Sequence, residues 1–141
     1  FYNQAVVVEH QLEAVGLDVE VETYDWATAL EHRDNESAWE FFVTDFGMKY
    51  DPVEQPFMRL CSYVGWWCDD EAEAIVDGLA SETDEEKRRE YNDAFQEAVY
   101  EQVPFIKFGD TGGVIAHRDR VHGVTRQGGV SILAWNVWLD Q

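Results

Sequence analysis

The spacing of apolar residues divides the first part of the chain into helical and extended stretches. From Ala5 to Val15 apolar residues recur at helical spacing, and Gly16 is well placed to end that helix. Residues 17–21 then alternate between apolar and acidic side chains, which is typical of a strand buried on one face. The pattern therefore predicts a helix, a glycine turn and a strand.

A second helix and strand follow at once. Asp25 is suited to cap a short helix that runs to Arg33, and a polar break separates this helix from residues 39–44. Those six residues alternate again as a second strand. Helix, strand, helix and strand at these lengths predict an α/β layer with parallel neighbouring strands.

Between residues 46 and 65 the periodicity disappears. Pro52 and Pro56 disfavour regular strand pairing, so the sequence predicts a long surface loop. The many aromatic residues in this stretch argue against disorder and favour a functional loop.

Two further helices are predicted next. Acidic residues at 69–71 suit a helix start, and residues 72–79 carry an apolar stripe. Thr83 with Glu86 has the spacing of a capping box, and the helix after it continues until Pro104. Residues 105–108 and 113–117 then read as short strands, followed by a basic turn and an apolar tail.

Composition limits the kinds of partner. The chain has 141 residues, 29 acidic against 10 basic, and a formal net charge of −19. Such a surface repels phosphate backbones, so the sequence predicts no nucleic-acid binding. Few lysines and many acids also suit a saline environment, where screening relieves self-repulsion. No apolar run approaches the ~20 residues that cross a bilayer.

Two cysteines, Cys61 and Cys68, lie in a tryptophan-rich stretch. In an oxidising compartment they could form a disulfide that stiffens this stretch. As metal ligands they lack a second pair, and the four histidines are scattered without ligand spacing, so no metal site is predicted. The sequence leaves a disulfide and two free thiols both open.

One helix carries a candidate ligand-binding pair. Trp26 and Arg33 are seven residues apart, so in a helix they lie on one face two turns apart. An indole can stack on an organic ligand, and a guanidinium can hold an anion by paired hydrogen bonds. The alternative is a helix that packs Trp26 and Leu30 on a sheet and leaves Arg33 in solvent.

Catalytic motifs are not recognisable in the sequence. It has no nucleophile elbow, phosphate loop or metal motif, so we predict neither an enzyme nor a cofactor. An acid/base hydrolase using Asp45 and Asp51 is the weaker alternative.

The order of features resembles the C-terminal part of the family 5 extracellular solute-binding proteins, which serve ABC importers of peptides, nickel and other small solutes. The stretch QLEAVGLDVEVETYDW resembles the family's helix, glycine turn and strand, and DFGMKYDP resembles its strand-end motif. The two helices from CDDEAEAIV to VPFIKF and the basic turn AHRDRVHGV follow in the family's order.

The resemblance implies a ligand site. In the oligopeptide binders a Trp and an Arg seven apart contact the ligand, and these fall on Trp26 and Arg33. The Asp that binds the peptide's amino terminus falls on Met48, and an aromatic residue falls on Phe108. The strand-end residues Asp45, Phe46 and Gly47 complete the predicted ligand-binding set. Trp66 and Trp67 lie near the cleft only by inference and could equally be loop packing.

The resemblance also implies a fold and a location. It predicts most of one lobe of a two-lobed, periplasmic-binding-protein-like α/β fold in residues 1–103. Residues 104–141 would cross over and return to the first lobe, the first half of the parent protein being absent. The expected partners are a small-molecule or peptide-like solute and an ABC permease, in the periplasm or outside the cell. A solute-sensing domain of a transcriptional regulator is the other alternative.

Overall fold

The structure is a computed structural model and describes residues 1–127 and 131–140. Its α-helices are α1 (Tyr2–Ala14), α2 (Trp26–Arg33), α3 (Asp70–Ser81) and α4 (Glu85–Gln102), and two 3₁₀ helices span Pro52–Glu54 and Pro56–Ser62. The strands are β1 (Val121–His122), β2 (Thr125–Gln127), β3 (Ser131–Leu133) and β4 (Trp138–Leu139). The chain divides into unit 1, Phe1–Asp45, and unit 2, Phe46–Gln141.

The predicted α/β fold is wrong. The described residues are mainly helical, and their strands form only two-stranded antiparallel pairs, β1 with β4 and β2 with β3. The four stretches predicted as strands (17–21, 39–44, 105–108 and 113–117) are extended or irregular and form no strand. Alternation does survive in part, since Val19 and Val21 are half-buried around an exposed Glu20. Alternation alone does not make a sheet, because each strand needs a neighbour to accept its backbone hydrogen bonds.

Unit 1 begins with the predicted helix and its glycine stop. Gly16 has φ of 93°, a conformation that glycine adopts without steric cost. Its N–H donates to Glu13 O at 2.9 Å, and Leu17 N–H donates to Leu12 O at 3.1 Å. These are the two hydrogen bonds of a Schellman ending, which satisfies carbonyls at the end of α1. No residue of α1 is fully buried.

Unit 2 holds the buried core. The fully buried side chains come from the second 3₁₀ helix (Met58 and Leu60), from α3 (Ala72 and Leu79) and from α4 (Phe95). The predicted surface loop at 46–65 is therefore wrong, because this stretch coils back and contributes two of the buried residues. Leu60 has φ of 46° inside the second 3₁₀ helix, a backbone conformation that residues other than glycine rarely adopt, and its side chain is buried.

Helices α3 and α4 form a hairpin joined by three residues. The predicted capping box at Thr83 is wrong: Asp84 caps α4, its carboxylate accepting from Glu86 N and Lys87 N at 3.1 Å each. An ionised carboxylate accepts more strongly than a hydroxyl at a helix start. Helix α4 ends just before Pro104, as predicted, and its C-cap residue is Val103, with φ of 50°. The predicted domain boundary at 103/104 stays a prediction.

The C-terminal strands form one antiparallel ribbon, defined as residues 117–127 and 131–140. Val121 pairs with Leu139, and Thr125 pairs with Leu133, so the pairing shifts register by two residues between the two strand pairs. Gly123, with φ of 71°, lies at this shift; a Cβ there would be 2.0 Å from Asn136 O. Only glycine allows the two backbones to come this close.

Candidate ligand-binding site

The predicted pair Trp26 and Arg33 occupies the two ends of α2. Asp25 caps the helix as predicted, accepting from Ala27 N at 3.1 Å and from Thr28 Oγ1 at 2.6 Å. These hydrogen bonds, the Thr28 hydroxyl first among them, lower the pKa of Asp25. Trp26 follows directly and is 62% exposed, so its indole is open to a stacking partner.

Arg33 already has an acidic neighbour. Its Nε donates to Asp34 Oδ1 at 2.8 Å, and its Nη2 lies 2.7 Å from the same oxygen. Asp34 is largely exposed, and such surface pairs contribute little free energy. An anionic ligand could therefore replace Asp34 at small cost. The Arg33 carbonyl is also engaged, accepting from Trp39 Nε1 at 3.0 Å.

Two further aromatic rings, one just before α2 and one within it, were missed by the sequence interpretation. Tyr24 stacks on His32 with ring centroids 4.1 Å apart. The Tyr24 hydroxyl donates to the Glu22 carboxylate, and this hydrogen bond raises the pKa of Tyr24. The sequence does hold a signal for this contact. His32 is the eighth residue after Tyr24 and lies in the helix that Asp25 caps.

The other predicted residues divide between the two units. Asp45 is exposed and is the last residue of unit 1, whereas Phe46, Gly47, Met48 and Phe108 belong to unit 2. In unit 2, Met48 is 60% exposed and Phe108 is 52% exposed. The ligand-binding assignment of all these residues stays a prediction.

Phe46 belongs to a cluster of rings in unit 2. Its ring meets Phe57 edge-on at 5.4 Å and lies 6.2 Å from Tyr63. Phe57 also contacts Phe105 at 4.9 Å and the buried Phe95 at 6.5 Å. The cluster thus runs from the core to the surface, where Phe46 and Phe105 are each 38% exposed.

Polar groups lie beside this cluster. Arg59 Cζ lies 5.1 Å from the centroid of the Tyr63 ring, a cation–π contact on an exposed side chain. The Gly47 carbonyl accepts from Gln55 Nε2 at 3.4 Å. Gln55 Oε1 is buried and has no hydrogen-bond partner among the described residues. The Arg59 guanidinium and the exposed aromatic surface can together bind an uncharged or anionic organic group.

Sequence interpretation missed Phe57, Arg59, Tyr63 and Phe105 in this cluster. They come from an aperiodic stretch and from a predicted strand, and neither pattern indicates which rings meet. Trp67, in contrast, was considered in the sequence analysis as either a residue near the cleft or loop packing. Its ring lies 5.7 Å from Phe95 and its Nε1 donates to Gln102 Oε1 at 2.7 Å, so it packs the loop onto α4.

The two cysteines are joined. Cys61 and Cys68 form a disulfide with their Cα atoms 4.4 Å apart, which decides the alternative that the sequence left open. The bond closes a short loop beside Tyr63 and holds this part of the ring cluster in place.

Asp51, one of the two residues in the hydrolase alternative, makes structural contacts. Arg88 Nη2 donates to both Asp51 oxygens, at 2.8 and 2.7 Å, and Val53 N donates to Oδ1 at 3.1 Å. Asp51 thus caps the first 3₁₀ helix and anchors α4. Asp45, its proposed partner in catalysis, belongs to the other unit.

Metal ligands and membrane-spanning helices are both absent from the described residues. Across 1–127 and 131–140, no three His, Cys, Asp or Glu side chains are grouped as metal ligands. In the same residues no helix combines the length and the apolar character needed to span a membrane.

We compared the chain with protein families, curated proteins and solved structures. No family model matches the chain, and neither a curated protein nor a solved structure matches it.

Proposed function

We propose that this chain is part of an extracellular solute-binding protein that captures a peptide-like or other small organic solute for an ABC importer. The observation that supports it is the exposure of Trp26, Met48 and Phe108, three of the predicted contact residues. Large apolar side chains gain about 25 cal/mol per Å² when they leave water, so exposed ones on a strongly charged protein favour contact with a ligand.

The order of sequence features supports the same assignment, whereas the described residues do not form the α/β lobe that the resemblance implies. The disulfide between Cys61 and Cys68 suits an exported protein, since disulfides persist in oxidising compartments. The strongly acidic composition disfavours anionic polymers as ligands.

Met48 indicates the ligand's chemistry. A thioether carries no charge and accepts hydrogen bonds weakly, so it does not replace a carboxylate as the partner of an ammonium group. The preferred solute therefore does not require a free amino terminus at this position. A solute bound in unit 1 packs on Trp26 through an apolar group, and Arg33 holds any anionic end in exchange for Asp34.

Calorimetry with matched free and N-acetylated short peptides tests the proposal. Acetylation is expected to leave the affinity unchanged or to raise it, and Trp26→Ala is expected to weaken binding by about threefold to tenfold. Trp135→Ala is the matched control, since it removes an indole that is 73% exposed and lies outside the predicted site.

A gain-of-preference variant makes the test sharper. Met48→Asp is expected to favour the free peptide over its acetylated form by up to about tenfold, because a carboxylate is then present. Tight binding of the free peptide by the unchanged chain, lost on acetylation, would refute the role of Met48. Absence of binding by every peptide would refute the peptide-like ligand.

A further inference from the structure

The charge of the chain is distributed very unevenly. Residues 113–141 contain three arginines and two aspartates, a net charge of +1, whereas residues 1–112 contain seven basic and 27 acidic residues, a net charge of −20. The ribbon is therefore a part of the sequence that an acidic surface does not repel.

The ribbon also exposes large apolar side chains. Trp135 is 73% exposed, and Trp138 and Leu139 are each 56% exposed. A ribbon of two short strands is marginally stable alone, because a single layer leaves apolar side chains in water. Arg118 and Arg120 are exposed beside these residues, and neither guanidinium has a hydrogen bond or ion pair among the described residues.

Helix α4 carries the complementary surface. Five acidic residues recur at intervals of three and four along it and lie on one face, which we call the acidic row (Glu86, Glu90, Asp93, Glu97 and Glu101). All five are exposed, and none of their carboxylates has an ion pair among the described residues. The neighbouring Arg89 does not neutralise the row, since it pairs with Glu85 at 2.5 Å.

Tyr100 adds a contact that suits arginine. It is 83% exposed and lies at the edge of the acidic row near Glu97 and Glu101. A guanidinium can stack on a phenol ring while it binds a neighbouring carboxylate. The C-terminal half of the row therefore offers charge and an aromatic face together.

We propose that the ribbon is an interaction surface for a second copy of this chain, and that it docks on the acidic row of the partner's α4. The second copy is the occupant because the chain carries both complementary halves, and a two-fold dimer pairs each ribbon with the other copy's row. An anionic lipid surface is the alternative occupant, and the test below distinguishes it from a second copy. This inference does not rest on the proposed function.

Charge reversal tests the dimer. The unchanged chain is expected to dimerise in sedimentation equilibrium at up to ~1 mM protein. The dimer is expected to be weak, because only one ribbon and one helix face of each copy form the contact. Arg118→Glu with Arg120→Glu, and separately Glu97→Arg with Glu101→Arg, are each expected to weaken self-association at least tenfold. An equal mixture of the two variants is expected to restore the dimer, because both ribbon-to-row contacts are then again of opposite charge.

Lys49→Glu with Lys107→Glu is the control for the arginine reversal, since it makes the same change in net charge outside both surfaces. It is expected to dimerise as the unchanged chain does. A chain that stays monomeric up to ~1 mM would overturn the proposal. The proposal would also be overturned if neither charge-reversal variant weakened self-association, or if the mixture of the two variants stayed monomeric. Monomers that co-sediment with phosphatidylserine vesicles through Arg118 and Arg120 would also overturn it and assign the ribbon to a lipid surface.

Discussion

Arg88 is the side chain whose loss we expect to destabilise unit 2 most clearly. Its Nη2 donates to both oxygens of Asp51, at 2.8 and 2.7 Å, and its Nη1 donates to the carbonyls of Leu79 and of Glu82, the latter at 3.2 Å. One guanidinium thus joins the first 3₁₀ helix, the end of α3 and the start of α4. Its side chain is 23% exposed, so water replaces these contacts poorly.

The magnitude follows from the partners that Arg88→Ala leaves behind. Each of the two carbonyls loses a hydrogen bond worth about 1 kcal/mol. The ion pair with Asp51 adds about 0.5–1 kcal/mol, because that carboxylate is 43% exposed and water screens it. We therefore expect a loss of about 2–3 kcal/mol in the free energy of unfolding.

Arg89→Ala on the same helix is the matched control. Its ion pair with Glu85 joins side chains that are 71% and 80% exposed, and such pairs contribute at most about 0.5 kcal/mol. Both substitutions change helix propensity equally, so their difference isolates the contacts of Arg88. Urea unfolding followed by tryptophan fluorescence measures it. Two variants that agree within about 0.5 kcal/mol would refute the reasoning.

Three other perturbations have defined outcomes. Gly123→Ala is expected to open the ribbon, because its Cβ would lie 2.0 Å from Asn136 O and 2.9 Å from the carbonyl carbon. Amide exchange should then accelerate at least ~10-fold in β1 and β4 and stay unchanged in α3 and α4; equal exchange throughout would contradict this. Reducing the Cys61–Cys68 bond, which spans seven residues, is expected to cost about 2.4 kcal/mol of stability. Urea melts with and without reductant measure that loss, and coincident melts would contradict it. Asp69 has a lowered pKa, because the backbone N–H that it caps donates to its carboxylate. Its contribution to stability is therefore complete above the ordinary aspartate pKa of 3.8, which applies to the unfolded chain, and is lost as the pH falls through the lower folded-state pKa. Asp69→Asn should flatten the acid side of the stability profile, and an unchanged profile would contradict this.

Local signals in the sequence were sufficient to predict helix boundaries where a single residue determines the backbone conformation. Gly16, Asp25 and Pro104 each mark a helix boundary that the structure contains, because their conformations or hydrogen bonds act within one turn. The cap of α4 shows the limit of such reasoning. Thr83 and Asp84 are adjacent and both suit a cap, and the stronger acceptor takes the position.

Signals that depend on distant partners were not sufficient. Residues 39–44 alternate as a strand does, yet the described chain gives them no neighbouring strand. The ring cluster around Phe57 joins residues from 46 to 105, and aromatic spacing does not encode which rings meet. The Asp51–Arg88 pair likewise spans 37 residues. Predicted ligand contacts such as Trp26 and Met48 remain predictions.

The hydrogen-bond chain at the open end of the α3–α4 hairpin has a consequence for how unit 2 unfolds. Trp67 Nε1 donates to Gln102 Oε1 at 2.7 Å, and Gln102 Nε2 donates to Asp69 Oδ2 at 2.9 Å. The three-residue loop closes the other end, so the two helices form a closed ring of contacts. Helix termini ordinarily fray first, but here the last turn of α4 is held to the first turn of α3. We therefore expect the hairpin to unfold as one cooperative unit and not to fray from its open end.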